Sequence, residues 1–307
     1  MPFQGVEILE ARMGSELVEL SIIVCTKNNQ RTLMSCLKAI FESKPENSEV
    51  IVVDGGSVDR TIEIIGAFPI DKVANDGGLG LAVARQIGFE VSSGDLVCYV
   101  DADVILTPNW FSAMLDVFRD PTVGQVHSLN ACGNSENLVS RLDGYIREAW
   151  LTRYGGTWGR VPCIGTESTI FRRRAIEEAE GFRREFRHVA ESMDLSWRIS
   201  RRGWQVLLVR NARAYHVLRS TTGGVVRQQL NYGKGGYQMG PDYSNPLRII
   251  VSALLSPLTG LRLSVKASIA YRDFSYLLLI LFYPLERISY ALGYFQGFTS
   301  GKRPDSS

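Results

Sequence analysis

The stretch GDLVCYVDADV, residues 94–104, decides how the rest of the chain is read. An apolar run from Leu96 to Val100 ends abruptly in Asp101-Ala102-Asp103. A short, continuous apolar run bounded by polar residues is the pattern of a strand buried on both faces, as in a parallel sheet. Side chains at i and i+2 of an extended chain point the same way, so both carboxylates can converge on one cation. Hard divalent ions such as Mg²⁺ and Mn²⁺ take oxygen ligands and share them with phosphate groups. Alanine between the acids leaves room for a bulky ligand, and open α/β sheets bind ligands beyond the carboxyl ends of their strands.

Similar runs precede this one. LSIIVCT (20–26), SEVIVVD (48–54) and DKVAND (71–76) read as strands. Between them lie helical patterns through Leu33, Leu37, Ile40 and Phe41, over VDRTIEIIGAF (58–68) and over GLGLAVARQIGFEV (78–91). TPNWFSAMLDVF (107–118) reads as a helix with Thr107 as N-cap and Pro108 at its first position. Alternation of this kind predicts βαβ units, a mostly parallel sheet flanked by helices, and right-handed crossovers. Further along, VGQVHSLNACGN (123–134) and WQVLLVRNARAYHVL (204–218) carry strand patterns, and SRLDGYIREAWLTRYGG (140–156) a helical one.

Asp54 closes its strand and is followed by two glycines, which permit a tight turn and close approach of a ligand. An acid there can accept from a nucleobase N–H or a ribose hydroxyl, while Asp59 caps the next helix. The fingerprint GxGxxG is absent, which argues against an NAD enzyme. Arg85 follows glycines that bring it toward the same strand ends.

The chain has 307 residues, 45% hydrophobic and 21% charged, with a net charge of +2. That balance excludes nucleic acid as the main partner. Five cysteines without CxxC spacing fit buried thiols in a reducing compartment. The N-terminal residues include acids and lack the basic start and apolar run of a signal peptide, so the globular part is expected on the cytoplasmic side. Residues 247–298 are strongly apolar but interrupted by Pro257, Pro284, Glu286 and Arg287, so neither segment offers ~20 uninterrupted apolar residues. Arg248, Arg262, Lys266, Arg272 and Arg287 punctuate them, as in helices lying in a membrane interface. These helices are expected to hold the protein on the cytoplasmic face of a membrane as a peripheral or monotopic protein; the alternative is packing on the domain or in a dimer.

Taken in order, LSIIVCTKNN, VIVVDGGSVDRT, GLGLAVARQIGFEVSSGDLVCYVDAD, STIFRRRAIEEAEGF, ESMDLSWRISRRGW and ARAYHVLRS resemble the inverting family 2 glycosyltransferases of the GT-A fold, over about residues 20–240. The resemblance implies an N-terminal extension (1–19), a GT-A domain (20–240) with a nucleotide-binding half (20–120) and an acceptor half (121–240), and C-terminal membrane-associated helices with a tail (241–307). It implies nucleotide-sugar contacts at Thr26, Asp54, Arg85 and Asp101, with a UDP- or GDP-linked donor. Mn²⁺ or Mg²⁺ falls to Asp101 and Asp103, the DXD motif, with His216. Gly165 and Thr166 match the loop that shapes the sugar and acceptor site, and Trp158 either stacks on a sugar or is a buried aromatic.

The family's general base comes from an acidic Glu-Asp pair ahead of a DLSxR-type helix. Here the pair reads Glu191-Ser192. Three readings follow: Glu191 is the base; Asp194 serves, although its position fits capping better; or the acceptor is already ionised and needs none. Glu191 is favoured. The resemblance thus implies metal-dependent, inverting sugar transfer from a nucleotide-sugar, and the apolar C-terminal region points to a lipid-linked glycan or a cell-envelope or exopolysaccharide intermediate as acceptor. Alternatives are a polyprenyl-phosphate sugar synthase and a catalytically silent nucleotide-sugar-binding scaffold subunit.

Overall fold

The computed structural model describes residues 9–10, 19–152, 158–186, 189–241 and 243–299. The extension expected over 1–19 and the tail after 299 lie largely outside the described residues. By contacts the chain forms two units. One comprises Met1–Ala131, Tyr154–Arg187 and Glu191–His216, the other Cys132–Arg153, His188–Ala190 and Val217–Ser307. The second unit therefore gathers helices from both sides of residue 240, where the sequence reading sets its boundary.

The chain begins with β1 (Leu9–Glu10) and β2 (Leu20–Thr26), then α1 (Leu33–Ser43), β3 (Ser48–Asp54), α2 (Thr61–Ile65) and β4 (Lys72–Asn75). α3 (Leu81–Val91), β5 (Leu96–Val100), β6 (Val104–Leu106), α4 (Trp110–Leu115), β7 (Val123–Cys132) and α5 (Leu138–Leu151) follow. Next come β8 (Trp158–Arg160), β9 (Ser168–Arg172), α6 (Arg173–Glu178), α7 (Glu191–Arg201) and β10 (Gln205–His216). The described strands form one sheet in the order β1-β4-β3-β2-β5-β9-β7-β10-β6, with β8 beside β10. Its central strands β4, β3, β2 and β5 are parallel, as the alternation of strands and helices requires. Later strands join antiparallel, β9 against β5 and β7, and β6 against β10. The result is an α/β fold built on a parallel core flanked by helices.

Alternate residues of β2 and β3 supply one side of the core: Leu20, Ile22 and Val24 with Val50 and Val52 meet Leu33, Leu37 and Ile40 of α1. Each such side chain contributes about 1.5–3 kcal/mol when fully buried. One capping expectation is corrected. The Thr107 hydroxyl donates to the Arg213 carbonyl oxygen at 2.7 Å, tying the chain to β10. α4 starts only at Trp110, after Asn109, so Pro108 precedes the helix.

The second unit contains α5, α8 (Thr222–Gln238), α9 (Pro246–Leu254), α10 (Ser256–Tyr271) and α11 (Leu279–Thr299). Glycines let α8 and α11 touch backbone to backbone: a Cβ on Gly233 would overlap Tyr290 and Tyr294, and one on Gly293 the Leu230 carbonyl. Small residues serve the same purpose wherever helices pack at close range. Leu142, Tyr145, Val225, Leu279 and Phe282 fill a small core beside them. α11 continues through Pro284, with Gly260 of α10 leaving space beside the proline ring. Pro284 therefore does not break the apolar segment. Phe274–Thr299 is long and apolar enough to cross a membrane, by length and composition.

Glu49 on β3 is an internal anchor of the sheet. Its carboxylate accepts from Ser21 Oγ at 2.6 Å and from Ser93 N at 2.7 Å, and pairs with Lys72 Nζ at 2.9 Å. Burial opposes its charge, but these donors outweigh burial and hold the carboxyl below its usual range. A group depressed in this way stabilises the fold above the ordinary carboxylate range, and that stability is lost as pH falls through its folded pKa. Glu49→Ala should cost about 3 kcal/mol in urea unfolding at neutral pH, and the difference from wild type should shrink in acid.

Candidate active site

Parallel register brings the functional strand ends together. Thr26 of β2 lies opposite Asp54 of β3, and Asp54 opposite Asn75 of β4. Asp101 leaves the end of β5, on the other side of β2. A cleft of about 280 Å³ opens over these ends, lined by Thr26, Lys27, Asp76, Leu81, Asp101 and Asp103 among others. A larger hollow of about 450 Å³ beside Arg160, Pro162 and Trp204 has no carboxylate in its wall, so the acid chemistry belongs to the smaller cleft.

Arg85 is the hub. It projects from α3 and donates from Nη2 to Asp101 Oδ1 at 2.9 Å and from Nη1 to Glu191 Oε1. The Tyr99 hydroxyl donates to the Arg85 carbonyl oxygen at 2.8 Å and fixes that turn of the helix. Burial disfavours the guanidinium's charge, yet Asp101 and Glu191 outweigh it and keep the group charged. Burial raises both carboxyls, with Arg85 opposing and neighbouring acids adding to the rise. One cation is shared between two acids, with Asp103 close by. The site as built carries excess negative charge.

α3 starts from a loop of positive-φ glycines. Asp76 accepts from Gly78 N at 2.7 Å and from Gly80 N at 3.2 Å, where Gly80 has φ 105°. Sequence reasoning passed over Asp76 and Lys27. The signal was present: an acid closes the third predicted strand and two glycines follow it directly.

The other expected residues are placed as follows. Asp54 Oδ2 accepts from Gly56 N and Ser57 N, both at 2.9 Å, so its carboxylate shapes its own turn. Thr26 Oγ1 and Thr166 Oγ1 are buried with no hydrogen-bond partner among the described residues. His216 Nε2 lies 3.4 Å from Asp103 Oδ1, because β10 and β6 pair with His216 opposite Val104. Gly165 leaves space that the Glu167 carboxylate occupies. Asp194 is held by Arg198, whose Nε donates to Oδ2 at 2.8 Å, and therefore anchors α7. The Trp158 side chain lies outside the described residues. Cys25 also lines the cleft, but burial pushes its thiol up to about 12, so it offers no thiolate nucleophile.

His127 and Glu167 are further residues that sequence reasoning missed. Burial holds His127 below its usual range, hence neutral. Its Nε2 stands 3.8 Å from Glu167 Oε2.

A parallel sheet whose strand ends gather acids around one guanidinium suits an enzyme that handles a phosphate-bearing donor. The model of Glycosyl transferase family 2 matches residues 21–179, and the chain belongs to that family. It is 25% identical over 236 residues to the poly-beta-1,6-N-acetyl-D-glucosamine synthase of Staphylococcus aureus, covering 73% of this chain and 56% of that protein. It is 27% identical over 255 residues to the pre-mycofactocin glycosyltransferase of Mycobacterium tuberculosis, covering 78% of this chain and 52% of the relative. The chain thus spans about half the length of the curated relatives it matches. In fold it is similar to the mannosyltransferase PcManGT of Pyrobaculum calidifontis, solved with GDP-Man and Mn²⁺: TM-score 0.64, 17% identity, 94% of this chain and 89% of that one. S. aureus TarS residues 1–349 with UDP-GlcNAc gives a TM-score of 0.54 at 14% identity, covering 92% of each chain.

Removing the hub cation tests this site. Arg85→Met leaves two carboxylates without their partner and should cost about 3–5 kcal/mol in urea unfolding. Arg85→Lys keeps the charge but cannot fork to both acids, so its loss should fall between those of wild type and Arg85→Met.

Proposed function

We propose that this glycosyltransferase moves a sugar from a UDP- or GDP-linked donor, with inversion, onto a glycan acceptor presented at a membrane surface. The observation that carries the reading is the acid cluster around Arg85 at the parallel strand ends. Solved neighbours bound to GDP-Man and to UDP-GlcNAc support a nucleotide-sugar donor.

The donor set fits a hard divalent ion. Asp101 and Asp103 offer carboxylate oxygens, His216 an imidazole, and the excess negative charge favours a cation. Among the described residues no three such groups already form a closed cage. An ion that takes its remaining ligands from diphosphate and water needs none. When bound, it offsets the charge that develops on the leaving diphosphate.

The chain's own residues set the geometry. The Asp54 and Asp76 turns shape the cleft wall, Arg85 holds Asp101 in register, and Gly165 and Thr166 border the sugar. The acceptor oxygen attacks the anomeric carbon from the side opposite the diphosphate, and a carboxylate on that side takes its proton. A second reading, an acceptor that is already ionised such as a lipid phosphate, is favoured by Ser192 in place of an acid.

Membrane docking rests on the second unit. Leu254 is 73% exposed, Phe274 82% and Leu281 70%, within a larger set of uncovered apolar side chains. Soluble monomers rarely leave so much apolar surface open. Arg248, Arg262, Lys266 and Arg272 are exposed around it, whereas Asp273 is half-buried and Glu286 buried. Cations around an apolar face suit anionic lipid headgroups.

Two measurements test the proposal. In thermal unfolding with Mn²⁺, a bound nucleotide-sugar at a hundred times its Kd should stabilise the protein by about 2.7 kcal/mol. Asp103→Asn should abolish the metal-dependent part of that gain. Wild type should pellet with phosphatidylserine vesicles, and Arg262→Glu with Lys266→Glu should release it; recovery of wild type wholly in the supernatant defeats the docking.

A further inference from the structure

Inverting transfer to a hydroxyl needs a carboxylate that the acceptor can reach, and Ser192 stands where an acid is expected. The neighbouring acids are engaged in other ways. The Glu191 side chain is 3% exposed and paired with Arg85. Asp194 is 8% exposed and clamped by Arg198. Asp54 is occupied by its own turn, and Asp101 and Asp103 are the acids suited to the diphosphate and its cation.

Glu167 is 28% exposed and stands at the same end of the sheet. β9 runs antiparallel to β5 with Ser168 opposite Val100. Asp101 N donates to the Glu167 carbonyl oxygen at 2.9 Å, so the pairing continues one residue further. Residues opposed in this way project on the same face with Cβ atoms about 5 Å apart. We propose that Glu167 is the catalytic base that takes the acceptor proton, in place of the acid missing at position 192.

Two features position its carboxylate. Any Cβ at Gly165 would overlap it, so the glycine makes its seat. Behind it lies His127. Thr169 donates its hydroxyl to the Gly165 carbonyl oxygen at 3.0 Å, and its Oγ1 stands 2.6 Å from His127 Nδ1. That hydroxyl proton is committed, so Nδ1 carries the ring hydrogen and the Nε2 lone pair faces Glu167, 3.8 Å away. A proton arriving on Glu167 is thereby offered a second acceptor.

The assignment rests on the inverting-transfer reading above. In the step, the acceptor O–H gives its proton to a Glu167 oxygen and its electron pair forms the new bond to the anomeric carbon. The bond from that carbon to the diphosphate oxygen breaks, and its electron pair leaves with the diphosphate. The proton later passes to solvent through the exposed side of Glu167.

The test compares wild type, E167Q and E191Q for nucleoside diphosphate release from UDP-GlcNAc, UDP-glucose and GDP-mannose with Mn²⁺, using water and then sodium azide as acceptor. Azide is already ionised and needs no base. E167Q should release diphosphate at least about a hundredfold more slowly than wild type with water, keep the donor-induced thermal shift, and recover to within about tenfold in azide, forming a glycosyl azide of inverted configuration. E167Q turning over at the wild-type rate overturns the assignment. So does loss of the donor-induced shift, or loss of activity without azide rescue. Azide rescue of E191Q but not of E167Q transfers the role to Glu191. If wild type releases no diphosphate from any of the three donors, the transferase reading falls and the base falls with it.

Discussion

The arrangement around the cleft depends on one guanidinium held between two carboxylates. Arg85 comes from α3, Asp101 from the end of β5 and Glu191 from the first turn of α7. Burying a charge is costly unless it is paired and hydrogen-bonded. The three residues are therefore mutually obligatory, and the elements that carry them are locked to each other. The same economy of charge leaves more acid than base at the strand ends.

That constraint divides labour among acids that look interchangeable in one dimension. Asp54 closes a turn, Asp76 orders the glycine loop before α3, and Asp194 anchors α7 through Arg198. Glu191, the acid favoured from the sequence as proton acceptor, pairs with Arg85. Asp101 and Asp103 stand at one strand end and Glu167 on its antiparallel neighbour, their side chains 26%, 30% and 28% exposed.

The helical unit answers a different requirement. Gly233 and Gly293 bring α8 and α11 into backbone contact, with Tyr237 and Tyr294 packed edge to face between the same helices. Many large apolar residues of α9 to α11, Leu254, Leu258 and Leu281 among them, are exposed, while Ile249, Leu279 and Phe282 are buried.

What the sequence by itself determined is what local periodicity and covalent order can report. The strands, the helices, the acids at strand ends and the ordered segments similar to family 2 were legible because each depends on neighbours a few residues away. Thr107 misled because its hydroxyl had two possible partners, a helix end nearby and a carbonyl 106 positions on, and the distant one won. Pro284 misled because a proline costs its helix one backbone hydrogen bond without having to end it, and α11 continues through it. Only the tertiary structure decided which acid pairs with Arg85, since Glu191 is also 106 positions away, and only strand register put Glu167 beside Asp101. Ion pairs and register are settled by which buried charges meet, a long-range property that no window of sequence contains.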